Sequence, residues 1–169
     1  MKRFVGMTVI TAATVMTLAS QLMPMLPVQA AGKADQRVKA ALDKTGWKYE
    51  IDEDGDFKVG VTMKDGRTQL AYISSSTANI KGFEVRRITS PAYFSKGEFT
   101  ATMANRLLKA SMVNDFGAWQ VGQSKGNSMA FFASKVDANM RPEDLNVALI
   151  VNLHSADQME QELTGEDKF

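Results

Sequence analysis

The sequence predicts an α+β domain, an antiparallel sheet with helices packed against it in the order α-β-β-β-α-β-β-α. Three observations carry this. Apolar residues recur at helical spacing in three separate segments, around Val38, Phe99 and Leu145. Between those segments they alternate with polar residues, the two-residue period of half-buried strands. Asp-Gly pairs at 54–55 and 65–66 punctuate the first strand run, and Asp-Gly is among the strongest short hairpin signals because glycine takes the positive φ of a tight turn.

The chain opens with Met1-Lys2-Arg3 and a mostly apolar run, "FVGMTVITAATVMTLA", before "SQLMPMLPVQA". A basic start, an apolar centre and a small-residue cleavage site make the pattern of a secretory signal peptide. Val28-Gln29-Ala30 offers small side chains where a signal peptidase reads, so cleavage is expected after Ala30. The rival is an uncleaved anchor. The run has 16 residues, four of them threonines, and Pro24 and Pro27 follow it, whereas a span takes about 20 apolar residues. No cysteine follows it, which closes the lipoprotein route. Residues 1–30 are therefore expected to be a cleaved leader and residues 31–169 a single domain, with a bacterial periplasm as the expected location.

The leader holds two of the 20 basic residues and none of the 19 acidic ones, so the remaining 139 residues carry a net charge of −1. That balance gives no electrostatic reason to expect nucleic acid, or a membrane once the leader is removed. The chain has no cysteine, which excludes disulfides, zinc–thiolate and iron–sulfur sites and thiol chemistry. No cofactor is expected. Six of the eleven methionines lie beyond the leader, scattered along the chain, which suits core filling better than a copper site.

Each element has a local reason. In "ADQRVKAALDKTGW", Val38, Ala41 and Leu42 share a helix face and Gly46 suits a left-handed C-cap. Trp47, Tyr49 and Ile51 then alternate with polar residues, as do Phe57, Val59, Val61 and Met63 after the Asp54-Gly55 turn. Asp65-Gly66 leads into "RTQLAYIS", completing a three-stranded meander. "GFEVRRIT" is expected to add an edge strand. A second helix is expected over residues 90–114, with Ser95 and Glu98 as its capping box and Phe99, Met103, Leu107 and Ala110 on its apolar face. "GAWQVGQ" and "SMAFFASKV" read as a hairpin separated by "SKGN". Pro142 suits the first turn of a last helix, where Glu143 and Asp144 complement the positive end. Its apolar face runs through Leu145, Leu149, Leu153, Ala156, Met159 and Leu163.

The stretch "YEIDEDGDFKV" looks most like chemistry. Read as an EF-hand loop from Asp52, it has acids at positions 1, 3 and 5, but Phe57 stands at the obligatory glycine and Met63 at the closing glutamate. A hairpin corner is the expected reading, with no metal. His154 is the only histidine. Ser155 lies about 100° from it around a helix and cannot complete a triad with Asp157, so a polar-face histidine beside Asp157 is expected, with no catalytic residue. Gly117, Gly122 and Gly126 fit strand ends and a turn, not a phosphate loop. Arg86 and Arg87 could grip an acidic partner, and Phe131-Phe132 puts one aromatic on each face of a strand. With Trp119 these form the candidate binding surface.

In this order, "YEIDEDGDFKV", "EVRRITSPAYFS", "ANRLLKAS" followed by "FGAWQV", "FFASKVDANMRPEDL" and "SADQMEQELTGEDKF" resemble the YbjN family. The resemblance runs from Trp47 to Phe169. It implies a fold similar to type III secretion chaperones, often dimeric, and a role described as putative sensory-transduction regulation, and it brings no catalytic residues. Those chaperones work in the cytosol, whereas this chain reads as exported, so delivery of clients to a secretion apparatus is not expected. The functional expectation is an exported, non-enzymatic binding or regulatory module whose partner is another protein or a second copy of itself, as a homodimer. The alternative is a periplasmic carrier of a small ligand, with a pocket between sheet and helices lined by Trp47, Tyr49, Phe57 and Trp119.

Overall fold

A computed structural model describes residues 32–169; the expected leader and cleavage site lie outside the described residues. The elements are α1 (Gln36–Thr45), β1 (Glu50–Ile51), β2 (Phe57–Thr62), β3 (Thr68–Ile80), β4 (Phe83–Lys96), α2 (Ala101–Met112), β5 (Ala118–Ser124), β6 (Asn127–Asp137) and α3 (Pro142–Thr164). The six strands form one antiparallel sheet in the order β1-β2-β3-β4-β6-β5. The fold is α+β, as the sequence predicts, with four strands before α2.

Two expectations are corrected. "GFEVRRIT" belongs to a central strand: β4 runs 14 residues and pairs with β3 on one side and β6 on the other. Residues 90–96 continue that strand, and helix begins only at Ala101. The cap is Thr100, whose hydroxyl accepts from the Met103 N–H, while Ser95 bonds the carbonyl of Lys96. The physical reason lies in the partner strand. Ser90 to Lys96 have β6 to pair with from Phe132 to Asn127, and tertiary pairing overrides weak local preference. The first strand, by contrast, shrinks to two residues.

The helices lie on one face of the sheet. Val38, Ala41 and Leu42 of α1 pack on Phe57, Val59, Ile73, Ile88 and the first half of α3. A second cluster joins Leu107 of α2 to Trp119, Ala130 and Phe132 of the β5–β6 hairpin and to Ala156 and Met159 of α3. Helix α3 thus bridges both clusters; Leu145, Leu149, Leu153, Ala156 and Met159 are buried as their spacing predicts, Leu163 is half-buried, and Ala148, Asn152, Asp157 and Glu160 are buried beside them. Fully burying one large apolar side chain contributes about 1.5–3 kcal/mol, so this single face supplies most of the hydrophobic stabilisation.

The sheet forks. The β3–β4 ladder ends at Tyr72–Thr89, and continuing its register would set Leu70 against Pro91, which has no N–H to give. The Ser90 hydroxyl bonds the Leu70 carbonyl at this point. Beyond it β3 pairs only with β2, and β4 only with β6. In its middle β3 carries a register shift between Ile73 and Thr77.

Candidate functional site

Alternation along each strand assigns one row of side chains to the helices and the other to the opposite face. On β6, Ala130, Phe132, Ser134 and Val136 are buried under the helices, while Met129, Phe131 and Lys135 point the other way. Leu70 and Tyr72 of β3 and Arg87, Thr89 and Pro91 of β4 share that second face through the strand registers. No helix among the described residues covers it. A groove of about 740 Å³ runs across it, floored by these residues apart from Lys135 and rimmed by Gly32, Lys33, Asp54 and Asp56 at one side and Phe169 at another. Phe131 lies against Gly122, where an added Cβ would meet the ring at 3.1 Å. Gly122 is therefore a contact point in the middle of β5, not the strand end the sequence suggests.

The acidic corner forms one wall. Gly55 takes φ 82°, Gly55 N–H donates to the Asp52 carbonyl and Asp52 N–H to that of Asp56. The turn is the expected one, but the tip is pinned. The Asp56 carboxylate accepts from the Ser75 N–H at 2.7 Å and the Ser74 hydroxyl at 3.1 Å. The Ser75 hydroxyl donates to the Gly55 carbonyl and accepts from the Asp35 N–H. Residues 32–34 cross directly over Gly55, so an added Cβ would sit 3.2 Å from the Gly32 carbonyl carbon. Among the described residues, no group of three or more His, Cys, Asp or Glu side chains is arranged to hold a metal ion.

Of the five residues expected to form the binding surface, the structure places two on the open face. Arg87 is exposed and Phe131 half-buried in the groove. Arg86 is 1 % exposed, Phe132 is fully buried and Trp119 is buried against it with ring centroids 5.5 Å apart. Alternation explains the division: Arg86 and Phe132 occupy helix-side positions, one residue from their open-face neighbours. Trp47, Tyr49 and Phe57 pack in the first cluster and Trp119 in the second, so they line no common pocket. His154 is exposed and Asp157 does not serve it. Asp157 takes Arg67 Nε at 2.6 Å instead.

Two polar networks were not legible beforehand. Arg86 Nη2 lies 2.5 Å from Asp35 Oδ2, and its Nη1 bonds the Ser74 carbonyl that the register shift turns inward. Asp35 also caps α1 through the Arg37 N–H and pairs with the Arg37 guanidinium, which reaches on to Glu84. Burial alone would raise the Asp35 carboxyl, but hydrogen bonds from Arg37 and Arg86 outweigh it and hold it well below the carboxylate range. In the second network Arg67 bridges Asp157 and the buried Glu160, whose carboxyl burial pushes up. The chain after α3 is fastened here: Arg67 Nη1 donates to the Glu166 carbonyl, Thr68 N–H to Asp167 and Lys168 N–H to Glu160. This brings Phe169 to the groove beside Leu70.

The described residues thus define an α+β module with one helix-covered core and one open, groove-bearing sheet face. No family model, curated protein or solved structure matches the chain. Among the described residues no helix is long and apolar enough to cross a membrane.

Proposed function

We propose that this protein is an exported, non-enzymatic binding or regulatory module that holds a protein partner, or a second copy of itself, on the open face of its sheet. The observation that carries the reading is the groove, where Leu70, Tyr72, Pro91, Met129 and Phe131 lie together on a face that no helix among the described residues covers. Contiguous apolar and aromatic surface of this kind marks interaction sites. The YbjN-like segments and the leader-like start of the chain agree with the reading, and a periplasmic location belongs to the same proposal.

The test is capture of partners from periplasmic extract, with light scattering on the purified protein, comparing the wild type with Phe131→Asp and Thr89→Arg. Capture or dimerisation that both substitutions abolish, with the melting temperature kept, supports the reading. A strict monomer that retains nothing at any salt overturns it. The second reading, a small-ligand carrier, is favoured by the groove volume, which lies within the roughly 300–1,000 Å³ of small-molecule sites. Both tryptophans lie on the helix side, so a melting-temperature screen against metabolites tests it better than intrinsic fluorescence does.

A further inference from the structure

We propose that the open face recognises an extended, acidic and apolar polypeptide segment of its partner, with the partner's carboxylates gripped by Arg87 and Lys135. The inference deepens the proposed function and rests on it. Arg87 and Lys135 stand directly opposite each other on β4 and β6, both exposed and both on the open face. Like charges in opposed positions destabilise a sheet, and neither side chain makes an ion pair or hydrogen bond among the described residues. An incoming carboxylate turns that repulsion into shared attraction, and the planar fork of an arginine takes a carboxylate through two parallel hydrogen bonds.

The apolar half of the site lies along the same strands. Thr89 and Ala133 are the next opposed pair on this face, followed by Pro91 and Phe131; Ala133 and Pro91 are buried, so the half-buried Phe131 is the apolar side chain a segment reaches. Four residues of strand separate Arg87 from Pro91, about 13 Å at roughly 3.3 Å per residue. An extended segment with an acidic side chain and a large apolar one about four residues apart would meet both. The hydroxyls of Tyr72 and Thr89 interleave with the apolar floor, while those of Ser74 and Ser75 are taken up by the acidic corner. The first two suit a peptide, whose backbone amides need partners, better than an aliphatic chain. Asp54 and Asp56 at the rim oppose an acidic ligand on their side of the groove, although Lys33 stands beside them and two of Asp56's bonds already go to Ser74 and Ser75. They bias the acidic group toward Lys135, which lies across Arg87 from the corner.

The test is selection of phage-displayed random peptides of about twelve residues on the purified protein, followed by anisotropy of the enriched peptides. The expected result is enrichment of peptides carrying Asp or Glu about four positions from an aromatic or aliphatic residue. Their affinity should fall at least about tenfold in Arg87→Glu and in Lys135→Glu, a change of about 1.4 kcal/mol, and should weaken with added salt. Both positions are exposed, so the melting temperature reports that the fold is kept. Enrichment without an acidic bias, no enrichment, or binding that both charge reversals leave intact overturns the inference. Stabilisation by oleate in place of any peptide overturns it too. Partner capture that needs Phe131 but ignores both cations would leave the proposed function standing and remove only this recognition chemistry.

Discussion

Replacing Arg86 by methionine tests how the sheet is tied to the start of α1. The guanidinium is 1 % exposed and serves three acceptors: Asp35 Oδ2 at 2.5 Å, the Ser74 carbonyl, and the Ser75 carbonyl at 3.4 Å. Methionine keeps much of the length and removes every donor. Stripping one partner from a buried ion pair costs about 3–5 kcal/mol. Here the lower end applies, because Asp35 keeps Arg37 and its side chain is 14 % exposed. Leaving the Ser74 carbonyl without its donor adds about 1 kcal/mol, and the apolar methionine recovers part of that by packing. The expected loss is about 3 kcal/mol, or a fall in melting temperature of roughly 10 °C for a domain of this size.

Asp35→Asn is expected to cost more, since it leaves a buried cation facing only neutral acceptors. The double variant should be milder than the sum of the two, with a coupling of at least about 1.5 kcal/mol. Urea unfolding followed by circular dichroism at pH 7 measures all three, with the m-value checking that the unfolded state has not changed. An Arg86→Met protein within about 1 kcal/mol of the wild type at unchanged m would refute the argument. The pair would then be incidental to the docking of α1.

Other consequences follow from the same contacts. Gly55→Ala meets both a positive φ and backbone atoms at 3.2–3.3 Å, whereas Gly46→Ala has a similar φ with nothing within 4 Å; Gly46→Ala should cost about 1 kcal/mol and Gly55→Ala clearly more, by urea melts of both. Thr100→Ala should lose about 1 kcal/mol and Ser95→Ala almost none, since only Thr100 caps α2. Glu84 is held down to about 2, first by the hydrogen bond from Arg37 and then by Thr77. A lowered folded value stabilises above the ordinary carboxylate range and is lost as pH falls through that folded value. Acid unfolding should therefore deepen between about pH 4.5 and 2, and Arg37→Gln should move its midpoint upward in a circular-dichroism titration.

The helices and hairpins were legible because their signals are local. Val38, Ala41 and Leu42 turn inward as their spacing requires, Pro142 opens α3, and Phe131-Phe132 divides between two faces as adjacent strand residues must. The failures share a cause at longer range. Residues 90–96 carry turn and cap residues that read as a helix start, and only the pairing with β6 makes them strand. Arg86 looks like surface charge until Asp35, 51 positions away, is placed beside it. The Lys81-Gly82 turn, with φ of 51° and 93°, joins the two longest strands, and its length was missed because the serine-rich run before it shows no alternation. Asp157 pairs with Arg67 across 90 residues, a link invisible to helix spacing.

The division of the sheet also separates stability from recognition. Phe132 is fully buried between α3 and Trp119, and truncating such a side chain costs about 3–5 kcal/mol. Phe131, its neighbour in sequence, rests on Gly122 in an open groove, and no helix among the described residues packs on it. A partner on that face can thus be gained or lost without unpacking either core cluster. The corner at Gly55 belongs to both sides of this division. Through Ser75 it is fastened to Asp35 and so to Arg86 beneath the sheet, while Asp54 and Asp56 stand on the rim above. A ligand pressing on that rim therefore acts on the same hydrogen-bonded chain that anchors α1. That chain, and the tail that carries Phe169 to the groove from Glu160 and Arg67, link the open face to the core.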